Sequence, residues 1–251
     1  MALHRRMPCL HFCRLPTPDS RLPTPDSRLP MFTLSLPRAV IFDMDGTLLD
    51  SERVALDCFA QAAQAIGAPW REEVGLSLVG LNARDSDRRI LAAFGEDFPI
   101  AALRHAFDER YEDAIVRGAI PLKPYVRELF DYLDARRIPC AVATSTRRTR
   151  AETKLARAGL LPRFRALACG DEVRHGKPAP DIFELAARHL GVEPRHCLAL
   201  EDSNAGVRSA VSASMPVVML LDLLRPDADI CRLGVACADS LKDVLLALQR
   251  A

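Results

Sequence analysis

Two aspartates stand one residue apart where an apolar run ends, in the stretch AVIFDMDGTLLDS at residues 39–51. Gly46 follows them and lets the chain turn sharply at little steric cost, so Asp43 and Asp45 can face one small volume. Carboxylates that close to each other disfavour joint ionisation unless a cation lies between them. The spacing therefore indicates a divalent cation, a shared proton or both. Two solvated acids at a turn would explain D-x-D by itself, but D-x-D-G-T at a strand end favours a reactive site.

Polar residues also follow later segments of the chain. A threonine and a serine follow the apolar run 139–143, a lysine lies between the turn residues of HGKPAPDIF, and two acids follow the apolar run 197–200. Ligands of parallel sheets bind beyond the carboxyl ends of the strands, so these groups are expected to join the two aspartates. Taken singly, each is also explained as a helix cap or a solvated side chain. The candidates are Thr144, Ser145, Lys177, Glu201 and Asp202.

The elements that must position these residues alternate along the chain. Apolar runs bounded by turn signals predict buried strands, and segments of helical periodicity lie between them. The predicted strands are 39–43, 139–143, 165–169, 197–200 and 216–220, and the main predicted helices are 51–66, 84–94, 99–116, 125–136, 147–158, 180–190, 205–212 and 241–249. This alternation predicts the α/β class, a doubly wound parallel sheet covered by helices on both faces.

An insertion interrupts the α/β pattern after its first strand. No strand is predicted between residues 70 and 119, where only helical patterns occur. We therefore predict an all-helical cap domain at 52–120 and a core domain formed by 37–51 and 121–251.

The first 36 residues differ in composition from the rest. The heptad RLPTPDS occurs twice in tandem from Arg14, and its prolines and lack of apolar surface predict a disordered tail at 1–36. A proline-rich docking arm is one alternative. A translated upstream segment, with synthesis starting at Met31, is another.

Composition limits the partners and the compartment. The 251 residues carry a formal charge of +1, which provides no general attraction to nucleic acid or anionic lipid, and the apolar runs are too short for a membrane span. We therefore predict no nucleic-acid and no membrane partner. The eight cysteines are scattered without a C-x-x-C pair, which predicts reduced thiols and a cytoplasmic protein. The oligomeric state stays open, and a monomer is compatible with the sequence.

Four stretches, in order, resemble the motifs of the haloacid dehalogenase-like (HAD) superfamily: FDMDGTLLDS, VATST, HGKPAPDIF and CLALEDSNAG. The stretch from Lys177 to Gly206 is similar to β-phosphoglucomutase and related sugar-phosphate phosphatases. The resemblance covers about residues 38–250 and implies a Rossmann-like HAD core with an inserted helical cap. Departures at Tyr125 and at 213–216, where ASMP replaces AGMP, affect loops away from the proposed chemistry.

The resemblance implies a role for each motif residue. Asp43 would be the nucleophile that forms an aspartyl-phosphate, and Asp45 the general acid and base. Lys177 would offset negative charge during phosphoryl transfer, while Thr144 and Ser145 would bind phosphoryl oxygens. The second aspartate also argues against true dehalogenation, because haloacid dehalogenases lack an acid at that position.

The resemblance further implies a Mg²⁺ cofactor. Its ligands would be Asp43, the backbone carbonyl of Asp45, Asp202 and, directly or through water, Glu201. Magnesium prefers an octahedron of oxygens and keeps several waters, so two or three carboxylates suffice.

In the cap, the stretch VGLNARDS carries the candidates for substrate specificity. Arg84 lies near the position where sugar-phosphate mutases bind a second phosphate, and Asn82 offers hydrogen bonds. A solvated helix surface is the alternative for Arg84. The substrate is expected to be a small-molecule phosphate ester.

Three functions are compatible with these motifs. The first is a Mg²⁺-dependent phosphatase, a phosphoric monoester hydrolase acting on a sugar or polyol phosphate. The second is a phosphomutase of the β-phosphoglucomutase type. The third is a non-catalytic regulator with the HAD fold, which the presence of Asp43, Asp45, Lys177 and Asp202 disfavours.

Overall fold

The computed structural model describes residues 32–117 and 120–251. Most of the tail predicted at 1–36 therefore lies outside the described residues, as do two positions of the predicted cap. Within the described part of that tail, Phe32 and Leu34 are partly buried against the core. The domain boundaries stay a prediction.

A six-stranded, all-parallel sheet forms the centre of the molecule, with strand order β3-β2-β1-β4-β5-β6. The predicted α/β class with a doubly wound parallel sheet is confirmed. The sheet edge strand β6 was not predicted, because three residues of modest hydrophobicity carry too little periodicity. The strands are β1 (Ala39–Phe42), β2 (Cys140–Thr144), β3 (Ala166–Cys169), β4 (Cys197–Glu201), β5 (Val217–Leu220) and β6 (Ala236–Ala238).

Both faces of the sheet are covered, as the continuous apolar strands require. Successive side chains of β1 point to opposite faces. Val40 and Phe42 join one core cluster, where the Phe42 ring stacks on Phe130 at 5.0 Å between centroids. Ala39 and Ile41 join the cluster on the other face. All four residues of β1 are fully buried, so packing on both faces fixes the strand up to the residue that precedes Asp43.

Ten helices are described. Those that cover the sheet include α5 (Val126–Ala135), α6 (Arg148–Arg157), α7 (Asp181–Leu190), α8 (Asn204–Ser212) and α10 (Leu241–Gln249). The short α9 (Ala228–Leu233) was not predicted. Within the described ranges, no helix is long and apolar enough to cross a bilayer.

The remaining four helices follow β1 and form what we call the helical segment: α1 (Ser51–Ala65), α2 (Glu72–Leu76), α3 (Ala83–Phe94) and α4 (Ile100–Arg117). The five-residue α2 was missed in the sequence. The segment has a hydrophobic cluster of its own, with Phe59 stacked between Phe107 and Trp70 at centroid distances of 3.9 and 5.6 Å. An inserted all-helical unit is thus part of the observed fold.

The two chain connections of the helical segment lie side by side. The Asp50 N–H donates to the Pro121 carbonyl at 2.9 Å, and the Lys123 N–H donates to the Leu48 carbonyl at 2.9 Å. Leu49 and Leu122 form an isolated antiparallel bridge between them. The segment is therefore attached to the sheet through one narrow, paired connection.

Candidate active site

The carboxyl ends of β1, β2 and β4 lie level, because Phe42 is in register with Val142 on one side and with Leu200 on the other. The residues that follow therefore meet at one edge. This edge lies where the strand order reverses, between β1 and β4, which is the usual ligand crevice of doubly wound sheets. The predicted site residues placed there are Asp43, Asp45, Thr144, Ser145, Lys177, Glu201 and Asp202.

Lys177 is the central cation of this edge. Its Nζ lies 2.5 Å from Asp43 Oδ1 and 2.5 Å from Glu201 Oε1, and the lysine is 1% exposed. A buried ammonium requires such partners, because an unpaired charge away from water is costly. The arrangement fixes Lys177 against the proposed nucleophile.

Glu201 has both of its oxygens occupied. One accepts from Lys177, and the other accepts from the Ser203 N–H at 2.8 Å and the Ser203 hydroxyl at 3.0 Å. Gly206 supplies the necessary space, since a Cβ there would fall 1.7 Å from Glu201 Oε1. The observed role of this predicted metal ligand is to hold Lys177.

Among the residues that the structure describes, the buried side-chain oxygens without a hydrogen-bond partner are Asp202 Oδ2 and Glu52 Oε2. Both approach the loop after β1, where a Cβ on Gly46 would fall 2.1 Å from the Asp202 oxygen and 2.9 Å from the Glu52 oxygen. The other Asp202 oxygen accepts from the Thr47 hydroxyl at 3.1 Å. Such orphaned, buried carboxylate oxygens fit a hard cation, which would satisfy them.

The same region has an excess of negative charge. Asp43, Glu52, Glu201 and Asp202 are 0–7% exposed. Lys177 pairs with Asp43 and Glu201, and no salt bridge to Glu52 or Asp202 occurs in the described part of the chain. No three His, Cys, Asp or Glu side chains in 32–117 and 120–251 converge closely enough to hold an ion by themselves. A cation here would therefore depend on backbone, water or substrate oxygens in addition, which is the usual situation of Mg²⁺.

Burial and crowding shift the pKa values of these acids. Burial, and then the neighbouring Glu201, raise the pKa of Asp202 to about 8. Burial also raises the pKa of Asp43 well above its ordinary value, although Lys177 opposes the shift. The pKa of Lys177 is itself raised, because Asp43 and Glu201 outweigh its desolvation. The crowding of these buried acids therefore disfavours their joint ionisation, and a divalent cation between them would relieve it.

Asp45 has a different environment from Asp43. Its Oδ1 lies 2.6 Å from Lys154 Nζ and also accepts from the Ser51 hydroxyl, and its Oδ2 accepts from the Thr146 hydroxyl at 2.8 Å. Burial opposes ionisation, but Lys154 and these hydroxyls outweigh it and lower the pKa of Asp45. The two aspartates of D-x-D therefore face different cations.

A cavity of about 510 Å³ opens between this edge and the helical segment. Asp43, Asp45, Thr144 and Ser145 line its inner wall, and Arg84 and Asn82 lie on the wall formed by the helical segment. The predicted site residues outside this lining are Lys177, Glu201 and Asp202, which lie behind Asp43.

The two predicted specificity residues are placed differently. Arg84 is exposed. The Asn82 side chain caps α3, accepting from the Asp85 N–H at 3.0 Å and donating to the Asp85 carboxylate at 2.8 Å. Asn82 also lies against the HGKPAPDIF loop, where a Cβ on Gly176 would fall 2.0 Å from its amide nitrogen. Asn82 therefore lies where the helical segment packs closely against the loop that carries Lys177.

Three residues of the site were missed in the sequence. Glu52 directly follows the first motif and could have been suspected from its acidity. Lys154 lies between Ala151 and Leu155 on the buried face of α6, and a lysine on an apolar helix face signals a buried partner. Thr146 is the third, and its role becomes visible only when Asp45 is placed beside it.

Comparison with known proteins places this geometry in a family. A sequence model of haloacid dehalogenase-like hydrolases matches residues 37–214. The protein CbbY of Rhodobacter capsulatus is 37% identical over 72% of this chain and 84% of its own length. The phosphorylated carbohydrates phosphatase of Thermotoga maritima is 33% identical over 70% of this chain and 82% of its own length.

A solved structure supports the same assignment. Crystalline CbbY from Rhodobacter sphaeroides in complex with phosphate superimposes with a TM-score of 0.72 at 29% identity, covering 85% of this chain and 99% of that one. The chain belongs to the haloacid dehalogenase-like hydrolase family. The resemblance, the fold class and the prediction of an HAD-like hydrolase are confirmed at that level.

Proposed function

We propose that this protein is a Mg²⁺-dependent phosphatase that hydrolyses a small phosphomonoester, a sugar or polyol phosphate, through an aspartyl-phosphate on Asp43. One observation carries the proposal: Lys177 Nζ lies 2.5 Å from Asp43 Oδ1, and Asp43 lies at the inner wall of a cavity that arginines also line. A carboxylate beside a fixed ammonium is suited to accept a phosphoryl group, because the ammonium offsets the charge that accumulates in the transfer.

In the first step, Asp43 attacks phosphorus and the bond from phosphorus to the ester oxygen breaks. Asp45 must hold a proton at this stage, against the pairing with Lys154 that lowers its pKa. It gives that proton to the departing oxygen, so the alcohol leaves as a neutral molecule. Thr144 and Ser145, at the end of β2, line the cavity near the transferred group. Their hydroxyls and backbone N–H groups would orient the phosphoryl oxygens.

In the second step, water attacks the phosphorus of the aspartyl-phosphate. Asp45, now ionised, takes a proton from that water, and the bond between phosphorus and Asp43 breaks to release inorganic phosphate. Asp45 is thus protonated again, and both aspartates return to their starting forms. Splitting the displacement in two lets one carboxylate serve as acid and then as base.

The proposed cation would be held by Asp43, Asp202 and the backbone carbonyl of Asp45, with Glu201 and Glu52 behind them. When bound, Mg²⁺ supplies Lewis-acid polarisation of the phosphoryl group and neutralises the clustered carboxylates. The orphaned Asp202 Oδ2 supports this assignment. Glu201 contributes through Lys177 in the observed arrangement, since both its oxygens are already engaged.

The proposed substrate class follows from the cavity and from the relatives. Its volume of about 510 Å³ lies within the roughly 300–1,000 Å³ that small ligands occupy. Arg84, Arg147 and Arg174 also line it, which suits an anionic or hydroxyl-rich substrate. The Thermotoga maritima relative is named for phosphorylated carbohydrates, and we propose the same class here.

A substrate panel tests the proposal. Sugar, polyol, nucleotide and glycolate phosphates are incubated with the protein and Mg²⁺, and released phosphate is measured with and without a chelator. We expect release from sugar or polyol phosphates that the chelator abolishes. The Asp43→Asn variant, folded by circular dichroism, should release none. Activity that survives strong chelation or the Asp43→Asn change would contradict the mechanism.

The same panel addresses the other functions. Incubation of β-glucose 1-phosphate with a catalytic bisphosphate yields glucose 6-phosphate if the protein is a phosphomutase, and free phosphate if it is a phosphatase. A wild-type protein that stays inert with every ester at saturating Mg²⁺ would favour the non-catalytic regulator.

A further inference from the structure

Lys154 is a buried cation in this site that the catalytic scheme above does not use. It belongs to α6, which follows the second motif, and its side chain is 1% exposed. Lysine is rarely buried without a specific partner, because its ammonium loses hydration. The partner is Asp45, whose Oδ1 lies 2.6 Å from Lys154 Nζ.

Three donors from three parts of the chain converge on Asp45. Lys154 and Ser51 donate to one carboxylate oxygen, and Thr146 donates to the other at 2.8 Å. Ser51 is the first residue of α1, Thr146 lies in the loop after β2, and Lys154 lies on α6. A carboxylate held at both oxygens has little freedom to rotate, so its direction depends on these donors.

Lys154 also contacts the helical segment. Its Nζ lies 4.9 Å from the ring centroid of Tyr111 on α4, and this tyrosine is 5% exposed. One turn before it on α6, Arg150 Nη2 pairs with Asp108 at 3.0 Å and Glu112 at 2.5 Å, both on α4. The lysine that holds Asp45 therefore lies in the interface between the core and the segment that covers the cavity.

We infer that Lys154 is a positioning residue for Asp45, which orients the carboxylate that the proposed reaction uses as general acid and base. The inference rests on the proposed function, because it concerns the proton transfers of that reaction. Lys154 touches neither nucleophile nor phosphoryl group in this scheme. Its effect should be confined to steps in which Asp45 moves a proton.

This restriction separates a positioning role from a structural one. 4-Nitrophenolate is a weakly basic leaving group and needs no protonation, so phosphoryl transfer from 4-nitrophenyl phosphate to Asp43 proceeds without help from Asp45. Hydrolysis of the aspartyl-phosphate still requires Asp45 as base. An alkyl phosphate, whose leaving alkoxide must be protonated, requires Asp45 in both steps.

The experiment compares Lys154→Met with the wild type at saturating Mg²⁺ by rapid mixing, using 4-nitrophenyl phosphate and the best sugar phosphate from the panel. We expect steady-state kcat to fall about 10- to 100-fold with both esters, part of the roughly 10²–10⁴-fold that proton transfer contributes. With 4-nitrophenyl phosphate, the first turnover should stay near the wild-type rate. Nitrophenolate should then appear as a burst of about one equivalent per active site, since the second step becomes limiting.

Three further variants guard against a folding artefact. Arg157→Met, on the exposed face of the same helix, should behave as the wild type. Thr146→Val removes a different donor to Asp45 and should show the same burst with a smaller loss. Lys154→Arg, which retains the charge, should recover part of the rate lost in Lys154→Met.

Either of two results would overturn the inference while leaving the proposed function intact. One is a Lys154→Met protein whose kcat stays within about twofold of the wild type with the sugar phosphate, far below the usual contribution of proton transfer. The other is an equal loss in the first turnover and in the steady state, which indicates damage at Asp43. A wild type inactive on both esters would overturn the proposed function, and this inference with it.

Discussion

The two walls of the cavity are built by opposite means. The inner wall is backed by the strand-end site, which we define as Asp43, which lines the cavity, and Lys177, Glu201 and Asp202 behind it; all four are at most 6% exposed. The outer wall belongs to the helical segment, where Arg84 is exposed and carries no ion pair among the described residues. The inner wall is fixed by parallel strands in register, whereas the outer wall meets the core through side-chain contacts and one paired connection.

This difference separates two tasks. Buried, mutually bonded charges keep their geometry, which proton and phosphoryl transfer require to within fractions of an ångström. Exposed arginines on an attached segment can change without harm to the fold, because exposed ion pairs contribute little to stability. The comparison predicts that substitutions in the strand-end site lower kcat, whereas those on the outer wall change KM.

The largest effect is expected from Lys177→Met. The change leaves Asp43 and Glu201 without their shared donor, and kcat should fall about 100- to 1000-fold, as when one charge-stabilising donor is removed. Steady-state kinetics measure the loss, and circular dichroism verifies the fold. Lys242→Met, a half-buried lysine on α10, is the matched control. An equal fall of kcat in both variants would contradict the prediction that the strand-end site controls kcat.

The next effect concerns pH and Mg²⁺. In the cation-free protein the pKa of Asp202 is raised to about 8. Protonated Asp202 therefore stabilises the folded state, and this contribution is complete at pH values below the pKa that the group has in the unfolded chain. The contribution is lost as the pH rises toward 8. Binding of Mg²⁺ must release that proton. We expect the Kd to fall up to about tenfold per pH unit between about pH 6 and pH 8 and then to level off. Titration calorimetry measures it, and Asp202→Asn should make the trend shallower, leaving only the part contributed by Asp43.

A smaller effect is expected where the two walls touch. The Gly80 carbonyl accepts from the Ser145 hydroxyl at 3.1 Å, and a Cβ on Gly80 would fall 2.4 Å from Ser203 Oγ. Gly80→Ala should therefore push the loop away and lower kcat/KM about tenfold, equivalent to about 1.4 kcal/mol. Gly67→Ala is the matched control, because its φ of +67° is similar to the +76° of Gly80 and its Cβ would meet nothing. If both variants lose kcat/KM equally, backbone strain and not the contact with Ser203 explains the loss.

The smallest effect is expected from Arg84→Ala. We expect KM for a substrate with a distal anionic group to rise about two- to fivefold with kcat unchanged, the range of an exposed charge pair. Arg88→Ala, whose guanidinium already pairs with Asp85 at 2.9 Å, should leave KM unaltered. A fall in kcat for Arg84→Ala would place this arginine in the chemistry instead.

Sequence reasoning identified the residues at the strand ends because they belong to local sequence patterns. Asp43, Thr144 and Asp202 each follow an apolar run, and the ends of parallel strands meet at one edge whatever their order. It did not find Lys154, which carries no local motif and is distinguished only by lying on a buried helix face. The short α2, α9 and β6 were missed for a related reason, since three to six residues show no usable periodicity.

By itself the sequence determined the class of fold, the inserted helices and the strand-end residues that would carry the chemistry. Hydrophobic periodicity indicates the helices and strands, and the proposed site residues are those that directly follow the apolar strands. Only the tertiary structure decided that Lys154 faces Asp45 across 109 residues and that Thr47 reaches Asp202 across 155. It also showed that Glu201 is occupied by Lys177 and that an oxygen of Glu52 lies unpartnered near Asp202. Such pairings depend on how helices and loops pack, which no short stretch of residues specifies.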